Sequence, residues 1–249
     1  MTDRAEKINN DVRIFQNAGS LAFGTDAYLL SAFIKKGPKR ACELGAGSGV
    51  ITLLCMARKK FSSAVCVEVQ DKIARLCEKN VTENGFDGKI DVISSDMREL
   101  SAEMNGTFDA VLTNPPYMKL TSGKLNDSDE NVACRHEVYG TIDDFCLTAA
   151  RLLKFGGLFY AVYRPDRLAE LITACEKNDL RVKVLTLVYP TAEHEPSAVL
   201  IRAKKGAAHG MKTTKPMIMY RSTSDMTDAG FTDDMKYIYE NGDANDDFR

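Results

Sequence analysis

The sequence predicts an α/β fold: a mostly parallel, seven-stranded sheet with an antiparallel last strand and helices on both faces. Three observations carry this. Short apolar, β-rich runs alternate with segments of helical period from about residue 26 to 203, the pattern of strands joined by crossover helices. The first strand runs into Gly45-Ala46-Gly47-Ser48-Gly49, and a helix follows. The last two strands, 182–188 and 197–202, have no helix-length segment between them. They pair antiparallel, since a parallel pair needs a crossover of about a dozen residues or more.

The elements follow in order. Asp26 is expected to cap a helix running to about Lys36, with Leu29, Leu30 and Phe33 on its apolar face. Strands are predicted at 41–44, 64–67, 90–93 and 108–113, with helices at 50–59 and 71–84, the second capped by Asp71. Residues 118–135 have no apolar period and carry Gly, Asn, Asp and Ser, so they read as a long loop at the end of the fourth strand, of the kind that is functional or disordered. A helix at 141–154 ends at Gly156-Gly157, then come a strand at 158–163, a helix at 166–177 and the closing strand pair. Residues 1–205 form one domain with a helical lead-in. Residues 206–249 read as a polar C-terminal extension, with a helical turn near 233–239 and a disordered end at 241–249.

Composition narrows the class. The chain has 249 residues, enough for one sizeable core; 44% are apolar and 27% charged, ordinary for a globular protein. The charged start lacks the apolar core of a signal peptide, and no apolar run reaches the roughly 20 residues of a membrane span, so a cytoplasmic protein is expected. The seven cysteines form no Cys-x-x-Cys pair, which argues for a reducing compartment and against a zinc ribbon. His194 and His209 have no ligand-type neighbours, and no metal is expected. The net charge of −2 shows no basic excess; the clusters at 35–40, 58–60 and 204–205 read as solvated helix ends and loops.

The glycine loop carries the first chemical signal. Glycines let the chain turn tightly and a ligand approach the backbone, and the helix start adds unpaired N–H groups. Glu68 ends the second strand about 20 residues on, where an acid can accept bonds from ribose hydroxyls. Asp96 follows the third strand, placed to meet an adenine edge, and Asn114-Pro115-Pro116-Tyr117 follows the fourth. Dinucleotide sites use Gly-x-Gly-x-x-Gly; here the third glycine comes one residue sooner and Glu43 precedes the loop, which suits a cationic sulfonium better than a pyrophosphate. These residues resemble the motifs of class I S-adenosylmethionine-dependent methyltransferases.

Asn114 to Tyr117 points to nitrogen methylation. An amide or exocyclic amine is a poor nucleophile because its lone pair is delocalised. The Asn114 side-chain oxygen and the Pro115 carbonyl could each accept one N–H and localise that lone pair, while Tyr117 stacks on a planar substrate. This work is positioning and electrostatics and needs no strong base, so His136 reads as a loop residue.

Further segments narrow the resemblance. Phe23-Gly24-Thr25-Asp26, Arg135-His136-Glu137, Tyr163-Arg164-Pro165-Asp166-Arg167-Leu168, His194-Glu195-Pro196 and the stretch 201–206 together resemble the tRNA1(Val) adenine-37 N6-methyltransferase family over most of the chain. The resemblance implies a Rossmann-like class I methyltransferase with S-adenosyl-L-methionine as cofactor and tRNA as partner. By the same resemblance Gly24, Thr25 and Asp26 line the cofactor's amino-acid end, Gly45, Gly47 and Gly49 form its floor, Glu68 holds the ribose and Asp96 the adenine. Phe23, Glu43, Val69 and Met97 are counted with them as cofactor-binding residues. Arg135, Arg164 and Lys204 become candidates for phosphate contacts, and a monomer is favoured. Alternatives sharing Asn114 to Tyr117 are a protein glutamine N5-methyltransferase and an rRNA base N-methyltransferase; a non-catalytic cofactor- or RNA-binding module is the remaining reading.

Overall fold

A computed structural model describes residues 4–7, 12–16, 24–115 and 140–249. The chain opens with a hairpin, β1 (Arg4–Lys7) and β2 (Arg13–Gln16), followed by α1 (Thr25–Phe33). Then come β3 (Arg40–Leu44), α2 (Val50–Ala57), β4 (Ser63–Glu68), α3 (Asp71–Glu83), β5 (Ile90–Ser94) and β6 (Phe108–Thr113). After the gap lie α4 (Ile142–Leu152), β7 (Leu153–Tyr163), α5 (Leu168–Lys177), β8 (Leu180–Tyr189) and β9 (Ala198–Lys205). The C-terminal segment adds β10 (Lys212–Thr213), β11 (Met217–Ile218) and α6 (Asp233–Asn241).

The main sheet has the order β10-β8-β9-β7-β6-β3-β4-β5, with β11 also paired to β8. The seven expected strands are all present, and β9 alone among them runs antiparallel to its neighbours β7 and β8. Side chains alternate across each strand and divide the core in two. Tyr160 and Val162 of β7 face α1, α2 and the C-terminal segment, whereas Phe159, Ala161 and Tyr163 face α4 and α5. Strands β3, β4 and β5 step to one side and β6 and β7 to the other, so the order reverses between β3 and β6. Ligands of open α/β sheets bind at such a reversal, beyond the strands' C-terminal ends.

Several boundaries differ from expectation. Gly24, not Asp26, is the N-cap of α1, and Gln70, not Asp71, that of α3. Both acids lie in the first helical turn, where a negative charge still complements the helix dipole. Helix α1 stops at Phe33 because Ile34 turns extended. The lead-in contains a hairpin as well as a helix: Asn84 brackets Arg13 of β2, accepting from its N–H (2.9 Å) and donating to its carbonyl (2.7 Å). Strand β7 starts directly after α4, with a register shift opposite Phe108 and Ala110 that absorbs Gly156 (φ +78°).

The largest difference is at the C-terminus, where 241–249 are ordered. Phe248 is buried, and Arg249 pairs with Asp243 and donates to the Ala32 carbonyl (3.1 Å). Composition failed as a guide because this segment builds no core of its own. Its few apolar residues, Met217, Phe231, Met235, Ile238 and Phe248, complete the core over α1.

Candidate active site

The site residues line up along the C-terminal edge of the sheet. In register, Leu44 pairs with both Val67 and Thr113, and Glu68 pairs with Ser94. Asn114, Gly45, Glu68 and Ser95-Asp96 therefore leave four neighbouring strands, β6, β3, β4 and β5, at one level, with strands about 4.8 Å apart. The buried Thr113 hydroxyl donates to the Leu44 carbonyl (2.9 Å) and locks the Asn114 turn to the glycine loop.

The loop needs its glycines for different reasons. Gly45, Gly47 and Gly49 all have positive φ, +67°, +56° and +81°. A Cβ on Gly49 would meet the Cys77 sulfur at 2.6 Å, so this glycine lets α2 pack on α3. A Cβ on Gly47 would meet nothing within 4 Å, so that glycine faces open space. Gly45 lies against the Phe145 ring of α4.

Glu68 is buried at the end of β4. Its two oxygens accept from the Gly47 N–H (2.9 Å) and the Gln70 N–H (3.0 Å). A carboxylate has about four lone-pair sites, so this anchorage leaves acceptor capacity for a ligand hydroxyl. Val69 follows at the bend, half-buried. Asp96 caps a short 3-10 turn by accepting from the Arg98 N–H (2.9 Å), and it forms a fork with the Arg98 guanidinium that holds its carboxyl below the usual range. Met97 is buried, its methyl carbon 2.6 Å from the position a Cβ on Gly140 would take.

Glu43 sits below the loop rather than on its surface. It shares a strand face with Ala41 and points to α2, where one oxygen accepts from the Thr52 N–H (3.0 Å) and the Thr52 hydroxyl (2.5 Å). Burial pushes its pKa up to about 8, against the Thr52 hydrogen bonds, which lower it. It supports the first turn of α2 from inside.

Helix α1 brings in a second set. The Cys55 thiol meets the Ser31 carbonyl (3.8 Å), and Lys60, just past α2, donates to the carbonyls of Ser31 (2.7 Å) and Ile34 (2.7 Å). The C-terminal ends of α1 and α2 are thus together. Gly24, Thr25 and Asp26 lie at the opposite end of α1, exposed or half-buried.

Two contributors were not foreseen. Asn80 of α3, fully buried, donates to the Ser48 carbonyl of the loop (2.9 Å) and to the Phe15 carbonyl of β2 (3.2 Å), and accepts from the Phe15 N–H (2.7 Å). Its four-residue spacing from Asn84 on one helix face was the available signal. Lys60, read as part of a solvated basic cluster, is 2% exposed.

The three phosphate candidates separate. Arg164 follows the end of β7 at the site level and forms a fork with Asp166 (2.8 and 2.7 Å). Lys204 does not reach the site. It pairs with Leu158, level with Ala110, four residues before Asn114 and so about 13 Å down the strand. Phe23, Pro116, Tyr117 and Arg135 lie outside the described residues. Asn114 is half-buried and Pro115 buried. Among the described residues no group of three or more His, Cys, Asp or Glu could hold a metal, and no helix is long and apolar enough to cross a membrane.

Residues 7–172 match the family described as Methyltransferase small domain. The chain is 28% identical over 155 residues, 61% of its length, to a tRNA1(Val) (adenine(37)-N6)-methyltransferase of Bacteroides fragilis. That match spans 64% of the relative, just under two thirds of its length. A protein of the same name from Phocaeicola vulgatus is 26% identical over 192 residues, 77% of this chain and 80% of the relative. A solved structure described as a predicted O-methyltransferase from Agrobacterium tumefaciens shares the fold, with TM-score 0.69 and 24% identity over 88% of this chain and 98% of the other.

Proposed function

Because the chain belongs to the methyltransferase small domain family, we propose that it moves a methyl group from S-adenosylmethionine to the exocyclic N6 of an adenine in tRNA, at a position-37 type site. The observation that carries this is the Thr113–Leu44 bond, which sets Asn114 one strand from the glycine loop. Methyl donor and acceptor nitrogen must meet within bonding reach, and one strand spacing suits that.

The residues present fit S-adenosylmethionine. Open space over Gly47 would accept an amino-acid tail against the backbone, and anchored Glu68 would accept from ribose hydroxyls. Gly24, Thr25 and Asp26 would close the amino-acid end, and Asp96 would meet the adenine. When bound, S-adenosylmethionine supplies an electrophilic methyl on a sulfonium.

The chain's own residues do the rest. The Asn114 side-chain oxygen and the Pro115 carbonyl accept the two N6 hydrogens and turn the nitrogen lone pair toward the methyl. Tyr117, two residues on, supplies a ring for the base, and the product's extra proton leaves to solvent. Arg164 serves a backbone phosphate by exchanging Asp166 for it. Names of relatives support tRNA as the substrate. The six cysteines among the described residues are buried free thiols, which supports a reducing, cytoplasmic setting.

The test offers purified protein and labelled S-adenosylmethionine to three pools: unmodified tRNA, rRNA and translation release factors. The reading expects label in tRNA. Label in release factor alone would make this a glutamine methyltransferase, and cofactor binding without transfer to any pool would make it a binding module.

A further inference from the structure

The glycine loop is held from two sides. From the sheet, Glu68 accepts from the Gly47 N–H (2.9 Å). From α3, the fully buried Asn80 donates to the carbonyl of the next residue, Ser48 (2.9 Å). The N–H of the same peptide, that of Gly49, donates to the Ala46 carbonyl (2.9 Å), so the Ser48–Gly49 peptide plane is fixed at both polar atoms. The Asn80 amide also reaches the other way. It accepts from the Phe15 N–H (2.7 Å) and donates to the Phe15 carbonyl (3.2 Å) of β2. An N–H can only donate, so the Phe15 bond settles which amide atom is the oxygen.

Of the roughly four bonds a side-chain amide can make, one is thus spent on the loop and two on the hairpin. A lone two-stranded hairpin is at best marginally stable in water, so β1 and β2 keep their shape by docking. Val12 and Ile14 are buried in the core, Asn84 brackets Arg13, and Asn80 brackets Phe15. An apolar side chain at 80 would satisfy the packing but leave the Ser48 carbonyl and both Phe15 groups without these bonds. We propose that Asn80 is a positioning residue that couples the N-terminal hairpin to the cofactor: with the hairpin docked, the amide is oriented to hold the Ser48 carbonyl, and the loop keeps the shape that receives the cofactor. This rests on the cofactor reading above. It makes the hairpin a determinant of cofactor affinity, although the hairpin's described residues supply nothing to the row along the sheet edge.

Such coupling is reciprocal: if a docked hairpin favours the cofactor, the cofactor favours docking. The experiment follows amide hydrogen exchange, and binding of S-adenosylhomocysteine by calorimetry, in the full chain. In the wild type, saturating S-adenosylhomocysteine should slow exchange of the Phe15 N–H about fivefold or more. The Gly206 N–H, bonded to the Asp179 carbonyl at the opposite edge of the sheet, should change by less than about twofold. Asn84→Ala removes the bracket on Arg13 and touches neither the loop nor the ligand. It should weaken binding about two- to fivefold and raise KM for S-adenosylmethionine by the same factor, with kcat at saturation held. Asn80→Asp keeps the bond from the Phe15 N–H and loses both donations; it should bind about tenfold or more weakly and lose the ligand-dependent protection at Phe15. An Asn80 that served stability alone would leave Phe15 exchange indifferent to ligand. Unchanged Phe15 exchange on binding, or wild-type affinity in Asn84→Ala, would overturn the proposal while leaving the cofactor reading intact. Failure of the wild-type protein to bind S-adenosylhomocysteine would overturn both.

Discussion

Gly47 donates its backbone N–H to Glu68 at 2.9 Å, so the glycine loop of β3 and the acid ending β4 form one hydrogen-bonded unit. The second Glu68 oxygen is held by Gln70 at 3.0 Å. The carboxylate is therefore oriented without a ligand, and a nucleoside binding there need not order it.

Glu68→Ala should thus lower cofactor affinity more than one ligand contact would, because it also frees the loop. About tenfold or greater loss is expected in a calorimetric titration with S-adenosylhomocysteine. A loss below twofold would mean that the ribose lies elsewhere.

The glycines should separate by role. Gly49→Ala puts a methyl 2.6 Å from the Cys77 sulfur at φ +81°, and should cost roughly 2–4 kcal/mol of stability. Gly47→Ala meets no protein atom, so it should cost only about 1–2 kcal/mol from its φ of +56° but fill the ligand's space. Urea unfolding and ligand titration on both variants check the ranking. Equal effects on both quantities would contradict it.

Glu43 should make stability pH-dependent. Its folded pKa of about 8 lies above its ordinary 4.5, so the folded protein keeps a proton that the unfolded chain has released between those values. Stability from this group is present below about pH 4.5 and lost as pH rises through about 8. Glu43→Gln removes that titration. The variant should match wild type near pH 5 and gain on it up to pH 8 in thermal melts; parallel profiles would refute the assignment.

Lys60 ties the C-terminal segment to α1. Its ammonium donates to the Ser31, Ala32 and Ile34 carbonyls and pairs with Asp243 at 3.0 Å, with 1% of the side chain exposed. Burial pulls its pKa down, against the pairing with Asp243, which raises it. Lys60→Met strands these acceptors and should cost about 3–5 kcal/mol in urea unfolding. A cost under about 1 kcal/mol would mean that water replaces the ammonium.

The sheet and the site row were legible because both follow from strand periodicity. Alternation located the strands, and the residue after each of β3, β4, β5 and β6 fell on the C-terminal edge of the sheet. The same alternation puts Glu43 on the face of Ala41, and the antiparallel direction of β9 already carries Lys204 away from Asn114. Glu43 was read from its place before the loop and Lys204 from resemblance, and neither encodes side-chain direction. The roles of Asn80 and Lys60 were not legible. Each works through a partner distant in sequence, Ser48 and Phe15 for Asn80 and Asp243 for Lys60; the spacing of Asn80 from Asn84 marks a shared helix face but names no partner.

The central claim is methyl transfer to an adenine N6 in tRNA. Its most direct measurement is mass spectrometry of nucleosides from unmodified tRNA after incubation with the protein and isotopically labelled S-adenosylmethionine, beside Asn114→Ala. The account predicts labelled N6-methyladenosine with wild type, and at least a hundredfold less with Asn114→Ala at cofactor affinity within about threefold. Cofactor binding with no labelled nucleoside, or equal labelling by the Asn114→Ala variant, would contradict it.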